Sequence, residues 1–297
     1  MRIWKHANGS KPPSPGKPYD RERDLGCREP PDSVLDAFGV TDIPVPLPGG
    51  KGGTWRAGKL VLKPVEFPAE TLWRAEVLDR LPDSAEFRVA RPARTLSGVW
   101  VAQGWEASRL VEGEPDTRRQ DDVLRAAIAF HAAIAGLPRP AFLDRRDDPW
   151  SRGDRVAWGE LPVQACPAAL ELLEALVLAR RPVALAPQVV HGDLLGNVLF
   201  ANGLPPAIID WPAYWRPASW AYAVAVTDAL CWHQAPPQLA ARWSHLPSWG
   251  QMLVRALIYR IATDDAALGP AGWTPERTRA YRPVIDLAIK YADSTPN

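Results

Sequence analysis

The sequence predicts an α+β fold in which a small antiparallel sheet precedes a larger, mainly helical region. Three features of the 297-residue chain carry this expectation. Within residues 45–103, short apolar runs separated by turn residues read as strands on either side of one helical segment. From residue 121 onward apolar residues recur at helical spacing, in segments with recognisable helix starts and stops. A single β-hairpin interrupts the helical part, over 198–209. With 46% hydrophobic and 23% charged residues, the chain has enough apolar matter to bury a sizeable core.

The elements follow in order. Residues 1–32 form a basic, polar tail with Pro12, Pro13, Pro15 and Pro18 close together, which buries little and is expected to be disordered. Ser33–Phe38 reads as a short helix capped at Ser33. Leu47–Arg56 carries Gly49, Gly50, Gly52 and Gly53, four glycines in five residues, whose backbone amides can approach a phosphate. Leu60-Val61-Leu62-Lys63 is a strand ending in a lysine. Ala69–Leu81 has helical spacing, with Glu70 and Glu76 on different faces. Phe87–Ala90 and Gly98–Gln103 read as a strand pair completing a sheet of about five strands.

Beyond a linker ending at Gly113, Asp121–Ala135 begins with two acids and stops before Gly136, a normal helix start and end. Its His131 reads as a packed histidine on an apolar face. Phe142–Glu160 reads as a loop rich in Asp and Trp. Further helices are expected over Pro167–Arg180 and near Pro217–Trp232, Trp249–Thr263 and Pro275–Tyr291, with Pro283 interrupting the last.

The hairpin carries the chemistry. Its strands, Val198–Phe200 and Ala207–Ile209, flank the turn Asn202-Gly203. Antiparallel pairing therefore brings Asp193, Asn197 and Asp210 to one end. Two carboxylates and an amide suit a hard cation such as Mg²⁺, and the acid nearest the loop can accept a proton. Asp, then Asn a few residues on, then Asp after a hairpin is the layout of phosphoryl-transfer enzymes.

His191-Gly192-Asp193 with Asn197, followed by Ile209-Asp210-Trp211, resembles the aminoglycoside phosphotransferase family, also described as APH-like or choline-kinase-like. The resemblance runs by motif from about Val45 to Ala229. It implies a protein-kinase-like two-lobe fold: a small antiparallel-sheet N-lobe (33–108), then a hinge and a larger, mainly helical C-lobe (109–297). ATP is then expected between the lobes, under Gly50, Gly52 and Gly53, with Lys63 on its phosphates. Glu76, in preference to Glu70, takes the place of the helix glutamate that pairs with this lysine. Arg109 and Val111 are the hinge candidates for adenine, and Asn197 and Asp210 for Mg²⁺. Asp193 is the expected base toward a small-molecule hydroxyl substrate, with His191 anchoring its loop. Asn197 follows Asp193 by four positions where the family usually has five, and Gly196 supplies the freedom for the tighter turn.

The chain lacks an Ala-Pro-Glu triplet and has little room for an activation segment after Asp210, which points to a small-molecule kinase rather than a protein kinase. The alternative is a nucleotide-binding pseudokinase or regulatory module without turnover, for which the shortened loop is the argument.

Charge and composition bound the rest. A formal net charge of +1 provides no field to attract nucleic acid or an acidic membrane surface. No apolar run approaches the ~18 residues of a membrane span, and Met1–His6 is not followed by an apolar stretch like that of a signal peptide. Cys27, Cys166 and Cys231 are scattered and odd in number, forming neither a disulfide framework nor a zinc motif, so a cytoplasmic location is expected.

Overall fold

The computed structural model describes residues 28–48 and 53–294. Gly50 and Gly52, and residues 1–27 of the expected tail, lie outside the described residues. The first sheet has six strands: β1 (Val45–Pro46), β2 (Trp55–Ala57), β3 (Leu60–Pro64), β5 (Pro92–Ala93), β6 (Val101–Ala102) and β7 (Trp105–Arg109). Their order is β1-β2-β3-β7-β5, with β6 also paired to β7, and every pairing is antiparallel. Alternation along the strands turns Trp55, Ala57, Leu62, Trp105 and Ala107 to one face. There α1 (Asp32–Phe38) covers them with Val34, Leu35 and Phe38, closing a small core of its own.

The helix α2 (Pro68–Arg80) behaves differently. Its Trp73, Val77 and Leu78 pack on the large core of the helical region rather than on the sheet's. Trp73 lies 5.2 Å from the Trp211 ring and 5.5 Å from Phe142, centroid to centroid.

The expected strand pair at 87–103 separates into two destinations. β4 (Arg88–Val89) leaves the first sheet and pairs in parallel with β11 (Ala207–Ile208). Phe87 and Val89 belong to the large core, and Phe87 meets Phe130 edge-on at 5.6 Å. The burial of these two side chains takes the strand with it.

The hairpin forms at the expected place, β10 (Val198–Phe200) against β11, with Val198 opposite Ile208. β8 (Glu114–Pro115) adds to β10, giving a four-stranded sheet in the order β4-β11-β10-β8. A second pair, β9 (Gln188–His191) with β12 (Ala213–Arg216), runs antiparallel beside it. The helices are α3 (Gln120–Ile134), α4 (Pro149–Ala157), α5 (Pro167–Ala179), α6 (Ala218–Trp232), α7 (Gln238–Arg242), α8 (Trp249–Leu268) and α9 (Pro275–Ser294).

α8 is buried on all sides from Trp249 to Ile261, as befits the central helix of a bundle. α4 occupies what the sequence suggests is a loop. Asp148 and Ser151 form a reciprocal capping box at its start. Gly153 then lets it lie directly on α8, since a Cβ there would come within 2.2 Å of Thr263 Oγ1 and 2.7 Å of the Tyr259 carbonyl oxygen. α9 continues through Pro283 instead of breaking. Pro283 and Arg279 are both exposed, so the carbonyl deprived of its donor faces water while Tyr281, Val284, Ile285 and Ala288 remain packed.

Candidate active site

Two antiparallel registers build the site. His191 opposite Ala213 in β9–β12, and Val198 opposite Ile208 in β10–β11, hold the 192–197 loop against residues 209–212. Gly192 is required by the approach, because a Cβ there would lie 2.3 Å from the Tyr214 ring. His191 fastens the loop at two points: its Nδ1 accepts from the Asp193 N–H at 3.1 Å, and its Nε2 lies 3.0 Å from the Ile209 carbonyl oxygen. Together these bonds require the tautomer protonated at Nε2. The His191 N–H in turn donates to His131 Nε2 at 2.9 Å, and His131 Nδ1 meets the Tyr222 hydroxyl at 3.1 Å. Burial, with His191 adjacent, pushes His131 down to about 3 and keeps it neutral.

The shortened loop closes as a turn, the Asn197 N–H donating to Leu194 O at 3.0 Å with Gly196 at φ 92°. The turn leaves Asn197 within reach of Asp193. Its Nδ2 donates to the Asp193 carboxylate at 3.0 Å and to the Asp193 backbone carbonyl at 2.6 Å. The amide's other branch, its oxygen, is the atom a hard cation takes.

Lys63 Nζ stands 2.5 Å from Asp210 Oδ1, with Asp210 in the left-handed region at φ 53°. Burial raises the Asp210 carboxyl, but the charge and hydrogen bond of Lys63, with Arg74 behind it, outweigh that and hold it below the usual carboxylate range.

Glu76 is not the partner of Lys63, which corrects the sequence expectation: the α2 register leaves Glu76 exposed. Glu70 is the buried glutamate, and its Oε1 accepts from the Ala213 N–H at 2.9 Å, three residues after Asp210. Arg74 faces inward from the next turn and clasps Glu106 with contacts of 2.7 and 2.9 Å. Glu106 is the cross-strand neighbour of Lys63. Lys63, Asp210, Arg74 and Glu106 thus form one alternating charge cluster.

The hinge candidates divide. The Arg109 N–H donates to Arg91 O at 2.7 Å and the Leu110 N–H to Lys59 O at 2.8 Å, so the Arg109 amide is committed to the sheet and not to a base. Val111 follows, half-buried, just before Gly113. Gly113 has φ 132°, and a Cβ there would press to 3.0 Å on Leu199 and the Phe200 carbonyl. Gly53 is half-buried beside Pro64.

Sequence reasoning weighed Glu70 and set it aside for Glu76, and it missed Arg74, Glu106 and the pair Asp228–Arg260 beneath Asp193. The available signal was a charged residue inside an otherwise buried helical pattern, as at Arg260 between Tyr259 and Ile261. A cavity of about 400 Å³ between α4, α5 and α8 is lined by Asp147, Asp148, Arg152, Gln164 and Asp265 among others.

The Asp210 carboxylate and the Asn197 amide carbonyl are oxygen donors at the hairpin end, a chemistry that fits Mg²⁺, which takes one or two protein carboxylates and keeps other positions for water and phosphate. Among the described residues, no helix is long and apolar enough to cross a membrane.

The model of a family described as the phosphotransferase enzyme family matches residues 53–253. A probable ketoamine kinase of Thermus thermophilus is 33% identical over 183 residues, which is 56% of this chain and 65% of that protein. The chain therefore spans just under two thirds of that relative's length. Among solved structures, a thermostable mutant of an aminoglycoside phosphotransferase in ternary complex with AMP-PNP and hygromycin B superposes with a TM-score of 0.55 at 15% identity, over 89% of this chain and 98% of that one. An aminoglycoside phosphotransferase from Alicyclobacillus acidocaldarius gives 0.51 at 15% identity, over 92% and 98%. At these identities the likeness is one of fold, and the fold is the kinase-like one.

Proposed function

This chain belongs to the phosphotransferase enzyme family, and we propose that it is an ATP- and Mg²⁺-dependent small-molecule kinase that moves the γ-phosphoryl group to a substrate hydroxyl. The observation that carries the reading is the meeting of Asp193, Asn197 and Asp210 at one hairpin end, with Lys63 closing on it from the sheet.

Phosphoryl transfer asks a protein mainly to position groups and neutralise charge, so few residues suffice if their spacing is right. Asp193 accepts a hydrogen bond from the acceptor hydroxyl and orients its oxygen for in-line attack. Asn197 and Asp210 would hold Mg²⁺, which when bound neutralises phosphate charge. Lys63 supplies a fixed positive charge on the sheet side of the same cleft, beside Gly53, and Val111 offers the hinge its contact with the base. The relative's name suggests a ketoamine as acceptor, and we carry that class to this chain as the first to try.

The test is ATP consumption with a panel of ketoamines, amino sugars, amino alcohols and sugars. Turnover on one class is expected, falling on the order of 10²-fold or more in Asp193→Ala with ATP affinity retained. An Asp193→Ala enzyme that keeps half the rate refutes the base assignment. Mg²⁺-dependent ATP binding with no turnover on any acceptor favours the binding module instead.

A further inference from the structure

Asp228 of α6 and Arg260 of α8 face one another beneath the catalytic loop, 1% and 3% exposed. Arg260 grips Asp228 with two parallel bonds, Nε to Oδ1 at 2.8 Å and Nη2 to Oδ2 at 2.5 Å. Nη2 carries a second proton, and this one goes to Asp193 Oδ1 at 2.7 Å. The other oxygen of Asp193 accepts from Asn197 at 3.0 Å. Each oxygen of the carboxylate is therefore held by a donor from a different element.

We infer that Arg260, anchored by Asp228, is a positioning residue that fixes the rotamer and plane of the Asp193 carboxylate toward the acceptor hydroxyl. The inference rests on the reading of Asp193 as the base and goes beyond it. Asp193 stands on a loop with its side chain 31% exposed, and an aspartate so placed would otherwise sample several rotamers. Arg260 comes from a helix buried on all sides over this stretch, with its side chain 4% exposed. The Asp228 fork removes the guanidinium's own freedom, so the second Nη2 proton points in a single direction.

A buried ion pair is a weak device for stability alone, because desolvation offsets most of its attraction, and apolar side chains would join α6 to α8 as well. An apolar pair would leave Asp193 without its donor. The choice of arginine follows the same logic. A planar fork sends two protons to one carboxylate and a third to another in fixed directions, which a lysine ammonium on a flexible stem does not do. In-line transfer is sensitive to small misplacements of the attacking group, so the cost of losing this alignment falls on rate rather than on affinity.

The test uses Arg260→Lys, and a paired Arg260→Gln/Asp228→Asn variant that leaves no uncompensated buried charge should the lysine variant fail to fold. Each is measured in the native background and with Asp193→Asn, following kcat, both KM values, AMP-PNP affinity and thermal melting. In the native background kcat is expected to fall about 10- to 100-fold, with KM for ATP and AMP-PNP affinity within about twofold. With Asp193→Asn already present, the same changes should alter kcat less than about twofold, because the two residues act through one carboxylate. A crystal structure of the paired variant should show Asp193 in a second rotamer. An equal kcat loss in both backgrounds, a lowered melting temperature with kcat unchanged, or an unmoved Asp193 overturns the inference. A native enzyme without turnover on any acceptor refutes the kinase reading itself, whereas native turnover indifferent to Arg260 refutes only the positioning role.

Discussion

The ammonium of Lys63 and the carboxylate of Asp210 lie 2.5 Å apart, bridging the six-stranded sheet and the end of the hairpin. Lys63 supplies the positive charge beside this carboxylate, with Arg74 behind it. Lys63→Ala is expected to weaken nucleotide binding or turnover by about tenfold or more, since the ion pair and the proposed role toward the phosphates depend on a single amine. ATP titration and steady-state kinetics check it, and native values in both would refute the assignment.

Glu70 and Glu76 make opposite predictions. Glu70→Ala strips the Ala213 N–H of its acceptor in a buried place, at a cost of about 1–3 kcal/mol. It also frees the segment after Asp210, so kcat should fall with it. Glu70→Gln keeps an acceptor oxygen and should recover most of both. Glu76→Ala, at an exposed position, should stay within about 0.5 kcal/mol and leave kinetics alone. Urea melts beside kinetic assays decide between them.

The four-residue spacing from Asp193 to Asn197 is tested through the cation. ATP should bind more tightly with Mg²⁺ than with EDTA, and both Asn197→Ala and Asp210→Ala should abolish the difference. Calorimetric titration of the three proteins is the measurement. An Asn197→Ala protein that titrates like the native one would mean that the amide is not a ligand.

His131 predicts an acid limb of stability. Its folded value of about 3 lies below the value near 6.5 it takes when unfolded. The unfolded chain therefore takes up the proton first as pH falls. The contribution is complete above about pH 6.5 and is lost progressively toward pH 3. By pH 5 that loss is about 2 kcal/mol. His131→Gln, which still offers an oxygen to the His191 N–H, should flatten this slope in denaturation curves taken between pH 7.5 and 5. An unchanged slope would assign it to other groups.

Gly153→Ala sets two effects against each other. Alanine gains about 1 kcal/mol of helix propensity, yet its Cβ would meet the Tyr259 carbonyl, a backbone atom that cannot swing aside. The overlap should win by about 1–3 kcal/mol, lowering the melting temperature. A rise would show that α4 does not press on α8 so closely.

The legible part of the site was its local part. Asp193, Asn197 and Asp210 flank the two ends of one hairpin, so its turn and antiparallel pairing bring them to one end without knowledge of the rest. α3, α5 and α6 were readable for a related reason, since their apolar spacing and end signals lie within the segment itself. α4 was not, because its buried positions are Ser151, Gly153, Asp154, Val156 and Ala157, and Asp154 is buried by pairing with Arg216 rather than by apolarity. The choice between Glu70 and Glu76 depended on which face of α2 meets Trp211, a tertiary fact. Arg260 lies 67 positions from Asp193, and no local pattern announces such a partner.

The sheet that carries the hairpin has a mechanical consequence. β4 arrives from the chain between α2 and β5 and lies along β11, while β8, which continues directly from the Gly113 linker, lies along β10. The chain thus lies along both outer edges of a single hairpin, once between α2 and β5 and once between β7 and α3. Held on both sides, the hairpin keeps the 192–197 loop and Asp210 in one frame, and the first sheet reaches that frame through the ion pair of Lys63 with Asp210.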